Sequence, residues 1–362
     1  MSFGTPRNHG CRVSDTWSVQ GMRTILLENE LLRVTVLLDK GSDIVEFRYK
    51  PRDLDFLLFM PGGLKNPNRG VVSSPTSGPF LDYYTGGWND ILPNGGPFST
   101  YEGAEFGQHG EVSLIPWDYA VVEDSPSGVA VRMWVRPLRT PFYVEKTLRL
   151  RPGRAALAVE EQVINEAGEP MHLMWGQHIA FGRPFLDDGA VVDVPAQRLL
   201  VGAPQPGYEP RLYKPEGSFA WPNASSPEGK QVDASQIPAF GTVKAQEMAY
   251  ITELTDGWYA ITNRKQRLGF GLRFDPSVYR YIWYWQQHGN VAQGFPWWGR
   301  LHTVALEPWT SYPTGGLQEA VANGTSVHLQ PGATLKTAFT AVAFEGDQRV
   351  THVSAGGDVT FA

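Results

Sequence analysis

Apolar and polar residues alternate along short segments of this chain, and Gly, Pro, Ser and Asp cut the alternation at short intervals, which leaves little choice but antiparallel β-structure. Residues 23–50, RTILLENELLRVTVLLDKGSDIVEFRYK, read as three successive strands with a turn at Lys40-Gly41-Ser42. From residue 118 the pattern resumes as DYAVVED, VAVRMWVRP, FYVEKTLRLR and AALAVEEQVINE, separated by turns such as SPSG and PGR. Later strands are EMAYITEL, GWYAITNR, RLGFGLRFD, YRYIWYWQ, RLHTVALEP and ATLKTAFTAVAFE, and nothing comparable reads as a long helix. With 362 residues the chain can bury a large core. The expectation is an all-β fold, a large antiparallel sandwich forming one domain over residues 1–362, with the first twenty or so residues as a peripheral arm. Two irregular stretches, 61–108 and 202–240, are read as rims or lids of that domain, since structureless loops of such length are usually functional.

Composition narrows the function. A hydrophobic fraction of 42% with 19% charged residues marks a globular chain, and no apolar run is long enough to span a bilayer. The start, MSFGTPRNHGCRVSDTW, lacks the apolar core of a secretion signal, so a cytoplasmic protein without membrane contact is expected. Cys11 is the only cysteine, which excludes an internal disulfide and cysteine-based zinc or iron–sulfur sites. A net charge of −6 without a basic patch argues against nucleic acid as a partner. Neither GxGxxG, nor a P-loop, nor GxSxG occurs. The 12 Trp, 14 Tyr and 18 Phe cluster beside polar residues in YRYIWYWQQHG (279–289) and GFPWWGR (294–300). Aromatic faces suit the C–H faces of a sugar ring while polar neighbours read its hydroxyls. A small neutral sugar is therefore the expected partner, of a monomer or homodimer.

Three segments carry acid/base groups: FGQHGEVSLIPWDY around His109, MWGQHIAFGRPFL around His178 and VALEPWTSYPTGGL around Glu307. Read as a strand, 109–114 puts His109 and Glu111 on one face above Val112 and Leu114. In HLMWGQHIAF, Leu173, Trp175, Ile179 and Phe181 share a face, and His172, Met174, His178 and Ala180 take the other. Glu307 ends its strand at Pro308, where a side chain can be aimed into a cleft. On the strand LHTVALE, His302 faces opposite to Glu307, and like His172 and His288 it is read as structural.

These pieces resemble the galactose mutarotase-like superfamily, the aldose 1-epimerases and their relatives. NELLRVTVLLDKGSDIVEFRYK resembles the family's first strands, His109-Gly110 its His-Gly motif, and His178 with Phe181 its Asn-His-x-Tyr-Phe motif. The strand VVDVPAQRLLV and the late segment LEPW at Glu307 resemble their counterparts, in the same order, over residues 28–345. The resemblance implies a β-supersandwich with its site in the groove of a long sheet, interconversion of α and β sugar anomers, and no cofactor and no metal. It makes Glu307 the base and His178 the acid, with His109 hydrogen-bonding near the ring oxygen. Departures from the pattern imply a different sugar, or a different job on the same fold. Gln177 replaces the family's Asn, Ala180 its Tyr, and no Arg lies between Arg69 and Arg132, where Trp88, Asn89 and Asp90 stand instead. Asp275, or else Asp256, is the candidate for the substrate-binding aspartate. Trp88, Asn89 and one or more of Trp285, Trp297 and Trp298 are expected on the rim of the groove, and Asp90, Glu111 and Gln177 among the sugar contacts. Two other functions fit the same residues: a sugar-binding protein without catalysis, and a metal-dependent or lyase-type enzyme holding an ion with His109, Glu111, His178 and Glu307.

Overall fold

The computed structural model describes residues 7, 9–69, 77–204 and 208–362. Its larger sheet is twelve-stranded and antiparallel. In chain order its strands are β1 (Arg12–Val19), β2 (Met22–Glu28), β3 (Leu32–Leu37), β4 (Asp43–Tyr49), β5 (Trp88–Ile91), β6 (Gly176–Phe181), β7 (Ala196–Val201), β8 (Ser218–Ala220), β9 (Ala245–Leu254), β10 (Tyr281–His288) and β11 (Thr303–Trp309). In space they run β1-β2-β3-β4-β5-β6-β11-β10-β9-β7-β8, with Leu54–Asp55 paired onto β4. A nine-stranded sheet lies against it, built chiefly from 118–125, 128–135, 142–150, 156–165, 258–263, 268–273 and 334–345. These are the strands that the alternation predicts.

Alternation also sets the layers. From the larger sheet Val34, Val36, Phe47, Ile179, Phe181, Ile282 and Leu306 are buried against Leu148, Val159, Phe270 and Phe339 of the smaller one. The Phe270 ring lies 5.2 Å from Phe47 and 5.1 Å from Phe181, so one side chain joins both sheets. The intervening residues of the same strands, among them Ile91, Ala180, Trp285, Ala305 and Trp309, form a second cluster on the face turned away from that core. Helix α1 (Phe80–Tyr83) and helix α2 (Leu317–Ala322) pack on this second cluster, and their segments supply part of the wall described below. The irregular stretch around residue 80 thus covers one face of the sheet.

Two expectations change. The arm is partly a true strand: Arg12–Val19 pairs along β2 at the sheet edge, although Trp17 stays 61% exposed, and Cys11 beside it is fully buried. Residues 109–114 are a turn rather than a strand. His109 and Gly110 both have positive φ, +60° and +68°, and no strand continues through two left-handed residues. Among the described residues, no helix is long and apolar enough to cross a membrane.

Candidate active site

His178 and Glu307 face each other across the middle of the larger sheet. Residue pairs Gly176–Trp309 and Ala180–Ala305 bracket them on β6 and β11, and the two-residue period then turns both side chains to the same face. His178 Nε2 lies 3.6 Å from Glu307 Oε1, too far for a hydrogen bond and close enough for one ligand oxygen to touch both. Glu307 Oε2 accepts a hydrogen bond of 2.9 Å from Trp309 Nε1. The Trp309 indole stacks on Trp283 with ring centres 3.8 Å apart and lies across Gly176, where a Cβ would come within 2.3 Å of the ring. This is a physical reason for glycine in Trp-Gly-Gln-His: any side chain there displaces the indole that holds Glu307.

Burial sets the charges. It pushes Glu307 up to about 8, against the opposing hydrogen bond from Trp309, and it pulls His178 down to about 4. At neutral pH the pair therefore carries one proton, on the carboxyl. His109 enters from the opposite wall. Its ring Nδ1 accepts from the Gly96 N–H at 3.1 Å, while the His109 backbone N–H donates to Gly96 O at 2.9 Å. Neutral His109 so fixed carries its proton on Nε2, and burial, with His178 nearby, holds its pKa well below the usual value. The two imidazoles lie 5.6 Å apart, edge to face. A Cβ on Gly110 would meet Leu92 O at 2.4 Å, so the left-handed His-Gly turn fits only with glycine second.

Around this triad lies a cavity of about 460 Å³, a volume suited to a small ligand. Trp283, Trp285 and Trp297 supply aromatic walls, joined by Phe80, Tyr84 and Tyr208, with Gln108 and Thr314 among the polar lining. Of the residues that the sequence singles out, His109, His178, Glu307, Trp285 and Trp297 converge here.

The others lie elsewhere. Trp88, Asp90 and Gln177 point into the core between the sheets, as parity with Ile179 requires: Trp88 Nε1 donates to Gln177 Oε1 at 2.5 Å, and Gln177 Nε2 donates to Asp90 and Glu161, each at 2.9 Å. Lys146 closes this buried network on Asp90 at 2.5 Å. Asn89 is on the correct face, cross-strand from His178, but it is fully buried behind the floor beside Asp43 rather than at the rim. Glu111 turns away from His109 and accepts the Leu138 and Arg139 N–H groups at 3.0 Å each. Asp275 caps its own turn through Ser277, and Asp256 is bonded to Arg273 at 2.7 Å. Trp298 is 62% exposed and outside the cavity. His172, His288 and His302 also lie outside it; His288 and His302 are buried with ring centres 5.4 Å apart. Sequence reasoning passed over Phe80, Tyr84 and Tyr208, which come from irregular segments that no period can orient. Among the described residues, no three His, Cys, Asp or Glu side chains converge as metal ligands.

Two facing antiparallel sheets with a lined groove on the outer face of the larger one define the galactose mutarotase-like fold. Solved structures share it. A Klebsiella pneumoniae protein provisionally designated an aldose 1-epimerase is 17% identical with a TM-score of 0.73, covering 93% of this chain and 84% of its own. A galactose mutarotase-like protein from Clostridium acetobutylicum is 14% identical with a TM-score of 0.64, covering 93% and 99%. A galactose mutarotase related enzyme from Lactobacillus acidophilus is 16% identical with a TM-score of 0.57, covering 91% and 100%. At such identities the likeness concerns the fold. The chain belongs to the family described as domain of unknown function DUF4432, which it matches over residues 19–342. No curated protein matches it in sequence.

Proposed function

We propose that this protein is an aldose 1-epimerase, interconverting the α and β anomers of a sugar by acid/base catalysis. The observation that carries the reading is the His178–Glu307 pair, 3.6 Å apart at the floor of an aromatic-walled cavity, where burial favours the neutral form of each group. Mutarotation needs one proton removed from the anomeric hydroxyl and one delivered to the ring oxygen. In the neutral pair, His178 Nε2 takes the O1 proton and Glu307 Oε1 gives its own to O5 as the C1–O5 bond breaks and C1=O1 forms. After rotation about C1–C2, Glu307 recovers a proton from O5 and His178 returns one to O1, so closure on the other face restores the starting state. These roles are the reverse of those that the family resemblance implies, and burial is the reason. His109, with its proton on Nε2, supplies a fixed donor to a ligand oxygen.

Two-dimensional NMR exchange spectroscopy on a panel of aldoses and aldose phosphates tests the reading. Accelerated α/β exchange of at least one sugar, lost in Glu307→Gln, is the expected result. A protein that binds sugars without accelerating exchange is a carbohydrate-binding protein, and the catalytic reading fails.

A further inference from the structure

One side chain that lines the cavity is used neither by the proton transfers above nor by the protein itself. Gln108, next to His109, is half-buried, and its amide has no hydrogen-bond partner among the described residues. Its backbone, by contrast, is held on both sides. The Gln108 N–H donates to Ser77 O at 2.6 Å, and the N–H groups of His109 and Gly110 donate to Gly96 O and Gly107 O at 2.9 and 3.1 Å. A Cβ on Gly107 would come within 2.9 Å of the Gly78 Cα, so two glycines clamp this turn onto the segment that leads into α1. The other polar groups of the lining are spent or out of reach. The Thr314 hydroxyl bonds Tyr250 at 2.7 Å, that of Tyr208 is engaged by Trp285, and the Trp283 indole donates to Ser311 O at 3.0 Å. The Tyr84 oxygen is closed off from the cavity, and the Trp297 indole can only donate. Outside the triad, Gln108 is thus the lining side chain, among the described residues, that offers a ligand both a donor and an acceptor.

We propose that Gln108 determines which sugar the site accepts, its amide bridging two adjacent ring hydroxyls by accepting from one and donating to the other. This rests on the epimerase reading, in which the triad takes O1 and O5 and leaves the hydroxyls on C2, C3 and C4 to be read by other groups. A carboxamide presents its oxygen and its NH2 side by side, and vicinal hydroxyls each donate and accept, so one amide serves two of them. The polarity of the cavity fits. No Lys or Arg lines it, and the two aspartates considered for sugar contact are engaged elsewhere, Asp256 by Arg273 and Asp275 by Ser277. Any adjacent pair among the three hydroxyls includes that on C3, so the proposal fixes one of the two positions read.

Gln108→Leu removes the amide and breaks no protein hydrogen bond, so the melting temperature should hold. Anomer exchange is measured for the best aldose and for its 2-, 3- and 4-deoxy analogues, with the variant and with the unsubstituted protein. For the parent aldose kcat/KM should fall about 10- to 50-fold in the variant. The 3-deoxy analogue and one of the other two should lose about fivefold at most, since a contact that they cannot make in full is not lost in full. The remaining analogue, which keeps both bridged hydroxyls, should lose as much as the parent. Exchange of the parent within twofold of the unsubstituted protein, or an equal loss for the parent and all three analogues, overturns the proposal. Quenching of the fluorescence of the cavity tryptophans gives the same comparison in affinity. If the unsubstituted protein binds aldoses without accelerating exchange, the epimerase reading fails, while a loss of affinity that spares the 3-deoxy analogue still establishes the Gln108 contact. If it neither binds nor exchanges any aldose, both fail.

Discussion

At the scale of single residues, burial favours a protonated carboxyl at Glu307 and a neutral imidazole at His178, the donor and the acceptor of the proposed mechanism. The competent one-proton state lies between the two pKa values, about 4 for His178 and about 8 for Glu307. The profile of kcat/KM against pH should be a bell whose acid limb is protonation of His178 and whose alkaline limb is ionisation of Glu307. Glu307→Gln should lower kcat by roughly 10² to 10⁴ and abolish the alkaline limb. His178→Asn should cost a similar factor, and the double variant less than the product, because both residues serve one proton movement. Stability carries the same signature. Glu307 ionises near 4.3 in an unfolded chain (roughly) and about 8 in the fold, so it holds an extra proton when folded and stability falls as pH rises through that window. His178, at about 6.5 unfolded and about 4 folded, holds one proton fewer, so its contribution rises with pH up to about 6.5. Above that, of these two groups only Glu307 still contributes a slope, on the order of 2 kcal/mol by pH 8. Melting temperatures at pH 6.5 and 8 should show Glu307→Gln lacking that part of the decline.

At the scale of elements, strand parity is the rule that both reveals and misleads. It was legible in MWGQHIAF that His178 and Ala180 face away from Ile179 and Phe181, and the structure places them so. The same parity assigns Gln177 to the core, an assignment that the family pattern obscured, because a motif aligns neighbours without saying which face each one takes. His109 was found as a residue while its backbone was misread: alternation cannot report a left-handed turn, although His-Gly is its composition signal. Tyr84 and Tyr208 were not legible at all, since their segments have no period and their positions come from packing. The correction at Trp88 makes a prediction opposite to a rim role. Trp88→Ala should cost about 3–5 kcal/mol of stability by opening the intersheet core, measured by chemical denaturation. Lys146→Met should cost a comparable amount, roughly 3–5 kcal/mol, by leaving the buried Asp90 carboxylate without its cation.

At the scale of the whole molecule, the fold was the most legible part, because nearly every major strand announces itself by alternation and the two faces of the larger sheet follow from it. What joins the sheets was not legible, since contacts such as Phe47 and Phe181 with Phe270 connect residues far apart in the chain. Chains dominated by such distant pairings fold slowly. His178 and Glu307 become neighbours only when β6 and β11 lie side by side, although 128 residues separate them in the chain and β10 pairs on the far side of β11. The proposed catalysis would thus be a readout of assembly: during refolding from denaturant, exchange activity should return with the slowest phase, behind the early recovery of far-ultraviolet circular dichroism. A chain cut between these strands has no partial activity to offer until its pieces meet again, so turnover counts finished molecules and is blind to every collapsed intermediate.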